Sequence, residues 1–142
     1  MTDDDRLELI CEAVRYCQRV RSLGMPSSCY SKALREPVHF LWERRHGPKD
    51  SCVSYRSVAA GRAKRGSGDL VYDHAVPFNR LQRALLDLSE VTPAHVRSLL
   101  EAMSAAVLIT KDEDDRLNKL GLQRNMPADW DGNDPWARYS AA

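Results

Sequence analysis

The stretch Leu70-Val71-Tyr72-Asp73-His74-Ala75-Val76-Pro77 restricts the fold more than any other. Its β-branched and aromatic residues favour a short strand. Pro77 stops that strand, because proline has no amide to give to a sheet. The strand therefore ends on an Asp-His pair. A second short apolar run, Ala105 to Thr110, has the same character and leads directly into Lys111-Asp112-Glu113-Asp114-Asp115-Arg116-Leu117. The expected frame is a strand at about 70–76, a second at about 105–110, and a helix that opens with acids.

Helical patterns fill most of the remaining chain, so the expected class is α+β and mainly helical. Residues 3–23 place Leu7, Ile10, Cys11, Val14, Cys17 and Val20 on one side of an amphipathic helix that Gly24 and Pro26 end. A helix through residues 30–36 is expected to break or restart at Pro37, followed by a second helical piece through Val38–Glu43. Residues 51–59 fit a short strand or a helix start equally well, and Gly61–Gly68 reads as a basic loop. A helix is expected from about Asn79. Thr92-Pro93 starts another, with threonine as cap and proline in the first turn. Thr110 caps the last, which Gly121 ends.

With 142 residues and 43% hydrophobic content, the chain is expected to form one domain, 1–142, with a modest core. Residues 1–50 form its helical N-terminal part, 51–121 the unit around the strands, and 122–142 a tail carrying Trp130, Trp136 and Tyr139. So many aromatics in a Gly/Asp/Asn-rich segment point to packing on the body or to a protein partner. The absence of an eighteen-residue apolar run excludes a helical membrane span, and the acidic start is unlike a signal peptide, so the expected location is cytoplasmic. Cys11, Cys17, Cys29 and Cys52 contain no Cys-x-x-Cys pair, which argues against structural zinc. Cys11 and Cys17 are read as buried thiols.

His74 is the main candidate for chemistry. A histidine titrates near neutrality, which suits a general base. Hard cations need one or two carboxylates together with water and phosphate oxygens. Asp73 and a carboxylate in the first turn of the last helix are the candidates to supply them. Thr110-Lys111-Asp112-Glu113 is a capping box that occupies Glu113. The ligand candidate is therefore Asp114, with Asn118 one turn further on the same face. The net charge of +1 names no partner class. Arg56, Arg62, Lys64 and Arg65 nevertheless form a basic block just before the His74 strand. His39 and His46 are read as surface or partly packed residues.

Asp73-His74-Ala75-Val76-Pro77, an intervening helical segment, and Val107-Leu108-Ile109-Thr110-Lys111-Asp112-Glu113 together resemble the HNH (ββα-metal) endonuclease superfamily. The resemblance covers residues 70–120. It implies a ββα core within 51–121, a metal-ligating Asp73 and a general-base His74. It also implies a divalent magnesium or manganese ion and DNA as substrate. Asp114 stands where such a family commonly carries its last metal-binding histidine. The resemblance thus implies a divergent HNH-like nuclease in which Asp73, Asp114 and Asn118 hold the ion and Arg56, Arg62, Lys64 and Arg65 contact phosphates. The alternative is a non-catalytic protein-interaction or DNA-binding protein on a degenerate HNH-like or helical fold.

Overall fold

The computed structural model describes residues 1–47, 53, 55–62 and 69–142. It is a mainly helical α+β fold with a three-stranded sheet. Helix α1, Asp3–Ser22, opens with a capping box between Thr2 and Asp5 and three acids in its first turn, which suit the positive end of the helix dipole. Its buried stripe is Leu7, Ile10, Cys11, Val14, Cys17 and Val20. Helix α2, Ser27–Pro37, packs against it.

Pro37 does not break the chain's helical course. The missing amide instead coincides with a change of pitch, and Val38–Glu43 continues as a π-helical turn in which Arg44 N donates to His39 O. A π turn widens the helix, so the register that a proline disrupts is recovered with i→i+5 bonds. Of the expected break or restart at Pro37, the structure shows the restart, with the expected second piece Val38–Glu43 following directly. It also places His39 and Glu43 side by side.

Beyond the π turn, strand β1 is Tyr55–Arg56 and helix α3 is Val58–Arg62. The ambiguous region thus contains both a strand and a helix start. Gly61 and Arg62 close a helical turn rather than open a loop, and residues 63–68 lie outside the described residues. Strand β2 is Leu70–His74, followed by helices α4, Phe78–Leu86, and α5, Pro93–Met103. Thr92 caps α5 by accepting from His95 N. Strand β3, Ala106–Thr110, then runs into helix α6, Lys111–Lys119, across the Thr110–Glu113 capping box. A short C-terminal helix α7 is Ala137–Ala141.

The strand order is β1-β3-β2, with β2 antiparallel to β3 and β1 parallel to it. Register pairs Leu70 with Thr110, Asp73 with Val107 and His74 with Ala106. Side chains alternate across a strand, so odd and even positions of β2 face opposite ways. Val71, Val107 and Ile109 meet Ala75, Leu117 and Leu122 on one face, where Trp136 and Tyr139 of the tail also pack. Leu70, Tyr72, Ala106 and Leu108 meet Val53 and Ala60 on the other. A larger core joins α1, α2, the π turn, α4 and α5 around Leu34, Trp42, Leu85 and Leu100. No helix of the described residues is long and apolar enough to cross a membrane.

Candidate functional site

His74 lies at the end of β2 and shares the even-numbered face with Tyr72. The π turn supplies its partner there: His74 Nε2 lies 2.8 Å from Glu43 Oε1. Glu43 also bonds His39 Nδ1 through Oε2, at 2.9 Å, and accepts from the Tyr72 hydroxyl at 3.0 Å. The Glu43 side chain is only 3% exposed, while that of His74 retains 29%. A carboxylate in this position has only acceptors to offer, so it selects the tautomers of both rings. The proton sits on Nε2 of His74 and on Nδ1 of His39. In a singly protonated His74 ring the lone pair is then on Nδ1.

Burial is the largest influence on Glu43 and opposes its ionisation. The bond and charge of His74, together with the bonds from His39 and Tyr72, outweigh it and hold the carboxyl below the usual range. Glu43 is thus an ionised, nearly enclosed anchor between two histidines.

His74 lines two adjoining cavities. One, of about 290 Å³, contains Arg35, His39, Glu43, Tyr72 and Phe78. The other, of about 460 Å³, brings His74 and Asp73 to one rim with Arg35, Asn79, Gln82 and Arg124. The end of the strand lets both members of the Asp-His pair reach this space, although they belong to opposite faces of the sheet.

Asp73 has a different environment from the one expected for a metal ligand. Its Oδ2 accepts from Arg138 Nη1 at 3.1 Å and from the Tyr139 hydroxyl at 2.6 Å. Arg138 is 1% exposed and completes its shell with the carbonyls of Leu122, Gln123, His74 and Ala75. Its guanidinium is the cation against the Asp73 carboxylate. Burial, followed by the neighbouring Asp73 charge, pushes the Tyr139 phenol far up, so it stays a donor.

The other expected ligands do not join His74. Helix α6 carries Asp114 and Asn118, and its Leu117 packs on the Val71–Val107–Ile109 face, opposite His74. Asp114 is half-buried and Asn118 is exposed. Among the described residues, no group of three or more His, Cys, Asp or Glu side chains is arranged to hold a metal ion. Within the expected set Asp73, Asp114 and Asn118, the Asp73 carboxylate is already engaged by Arg138 and Tyr139, which would compete with a magnesium or manganese ion for it. Glu113 performs its capping role: it accepts from Thr110 N at 2.8 Å and from Ser57 Oγ at 2.6 Å. Burial opposes its ionisation most, but these bonds and nearby Arg116 keep its carboxyl below the usual range.

The basic block is divided. Arg56 sits on β1, separated from β2 by β3, and lines a cavity on the face opposite His74. Arg62 is exposed at the end of α3, whose Ala60 packs on the His74 face. Lys64 and Arg65 lie outside the described residues. The cations beside His74 are instead Arg35 and Arg124, which the sequence reading passed over. It also missed Glu43 and Arg138. Both are recognisable only by what folds against them, since 31 residues separate Glu43 from His74 and 65 separate Asp73 from Arg138.

No protein-family model matches the chain, and no curated protein or solved structure does.

Proposed function

We propose that the protein is an HNH-like hydrolase of nucleic-acid phosphodiester bonds, with His74 as the general base. The observation that carries this reading is the Glu43–His74 pair. A carboxylate that fixes an imidazole's tautomer leaves the opposite nitrogen ready to take a proton from water. The chain order β2, β3, α6 agrees with the ββα order that the resemblance implies, with α6 packed on the face away from His74. Arg35 and Arg124, at the rim of the cavity that His74 lines, offer guanidinium groups suited to a phosphate. Phosphate contacts of this kind give affinity with little sequence preference. Glu43 is a positioning residue in this scheme, and DNA is the first substrate to test. The cytoplasm remains the proposed location.

A second reading, a non-catalytic binding protein on the same scaffold, is favoured by one observation: Arg138 and Tyr139 already engage Asp73. Incubation with supercoiled plasmid in magnesium, in manganese and in EDTA separates the two. Nicking that disappears in His74→Ala and falls in Glu43→Gln supports hydrolysis. No nicking in any condition, or undiminished nicking in His74→Ala, leaves the binding reading.

A further inference from the structure

A cavity of about 620 Å³ lies on the sheet face away from His74. Its size falls in the range of small-molecule sites. The floor is apolar, formed by Val107 and Ile109 of β3 and by Leu117 of α6, all at least nine-tenths buried. One wall is an aromatic corner. The rings of Tyr55 and Trp136 meet at 4.9 Å and 65°, and Trp136 continues into Tyr139 at 6.4 Å. Edge-to-face contact leaves ring surface for a third planar group.

The polar side of the cavity carries charges of both signs. Glu113 lines it as an ionised carboxylate beside Arg116, bonded to Ser57 and the α6 cap, and Ala142, the last residue of the sequence, lines it too. Arg56 and Arg116 line the cavity with it. Arg116 is exposed on α6, where its guanidinium remains accessible to an anion. A flat hydrophobic pocket with guanidinium groups at its edge suits a ligand with a planar ring at one end and an anionic group at the other. Base–aromatic stacking contributes about 1–3 kcal/mol per base, and Arg–phosphate bonding adds charge-assisted, often bidentate contacts.

We infer that this cavity is a mononucleotide-binding site, with the base against Trp136 and Tyr55 and the phosphate at Arg116. The site is separate from His74 and stands whether or not the hydrolytic reading does. Because β3 forms its floor with Val107 and Ile109 and supports the His74 face with Ala106 and Leu108, one strand underlies both.

Calorimetric titration of the full chain with AMP, adenosine and inorganic phosphate tests the assignment. Saturable AMP binding is expected, with adenosine and phosphate each at least tenfold weaker. Arg116→Ala should weaken AMP at least tenfold and leave adenosine unchanged, with an unaltered circular dichroism spectrum. Trp136→Phe, which keeps an aromatic ring, should retain AMP binding but lose most of the AMP-induced quenching of tryptophan fluorescence. A 5′-phosphorylated trinucleotide that competes with AMP also supports the site and identifies a strand end as its ligand. Absence of saturable AMP binding at millimolar concentration, or full AMP affinity in Arg116→Ala, overturns the inference. Plasmid nicking is read separately on the same variants, so loss of one activity is not mistaken for loss of the other.

Discussion

Replacing Glu43 by glutamine tests the arrangement around His74 with the least change of shape. The carboxylate receives His74 on Oε1 and both His39 and Tyr72 on Oε2. Glutamine retains one acceptor oxygen and places an amide nitrogen at the other position, so either a donor faces a donor or His74 switches to the opposite tautomer, and the charge is lost in both cases. A hydrogen bond to a charged group contributes about 1.5–3 kcal/mol, and a buried group left unpaired costs a similar amount. With one or two bonds lost, Glu43→Gln should destabilise the protein by about 2–4 kcal/mol, a large share of the roughly 5–15 kcal/mol typical of a domain. Urea unfolding followed by tryptophan fluorescence should show a lower midpoint with an unchanged slope.

The pH dependence sharpens the test. Glu43 has a folded-state pKa below its ordinary 4.5. The unfolded chain therefore takes up this proton first on acidification. The stability from Glu43 is present above about pH 4.5 and is lost as pH falls towards the folded value, by at most about 1.4 kcal/mol per pH unit. Glutamine has no proton to gain, so the stability gap between wild type and variant should narrow between pH 5 and 3. A variant within about 0.5 kcal/mol of wild type at pH 7, the scatter of ordinary surface changes, would refute the three-bond anchor. A gap that stays constant on acidification would refute the depressed pKa.

Other perturbations probe the remaining contacts. Arg138→Ala removes the cation paired with Asp73 and the donor to four backbone carbonyls and should cost about 3–5 kcal/mol in urea unfolding; a loss below 1 kcal/mol would show that water replaces the guanidinium. Thr110→Ala removes the acceptor for Glu113 N and should cost about 1 kcal/mol, visible as a lower thermal midpoint. Cys29 is exposed, whereas Cys11 and Cys17 are buried with thiol pKa values raised by that burial. A thiol reagent followed by peptide mapping should modify Cys29 in the native protein and reach Cys11 and Cys17 only in urea; native labelling of Cys17 would contradict the packing of α1.

Local signals account for much of the fold. Thr92-Pro93 and the Thr110–Glu113 box mark helix starts because caps are made within four residues, and the α1 stripe is visible because its spacing matches the helical repeat. The strand ends at 70 and 110 follow from short apolar runs bounded by a helix cap and by proline. At Pro37 the helix restarts without leaving its course because packing opposes the proline's local effect: Leu34, Val38 and Trp42 all enter the same core. The candidate site was half legible. His74 stood out by its neighbours in sequence, but the side of the sheet occupied by α6 depends on where Leu117 finds apolar surface. That placement separates Asp114 and Asn118 from His74.

From residue order alone, the protein acquires its helix boundaries, its two longer strands and an Asp-His pair at a strand end, since propensity, capping and side-chain period act over a few residues. The partners of that pair are another matter. Glu43 reaches His74, and Arg138 reaches Asp73, only after distant apolar surfaces have packed the π turn and the tail against opposite faces of the sheet. Hydrogen bonds and charge act over a few ångströms, so their pairing follows from distances that the tertiary structure alone creates.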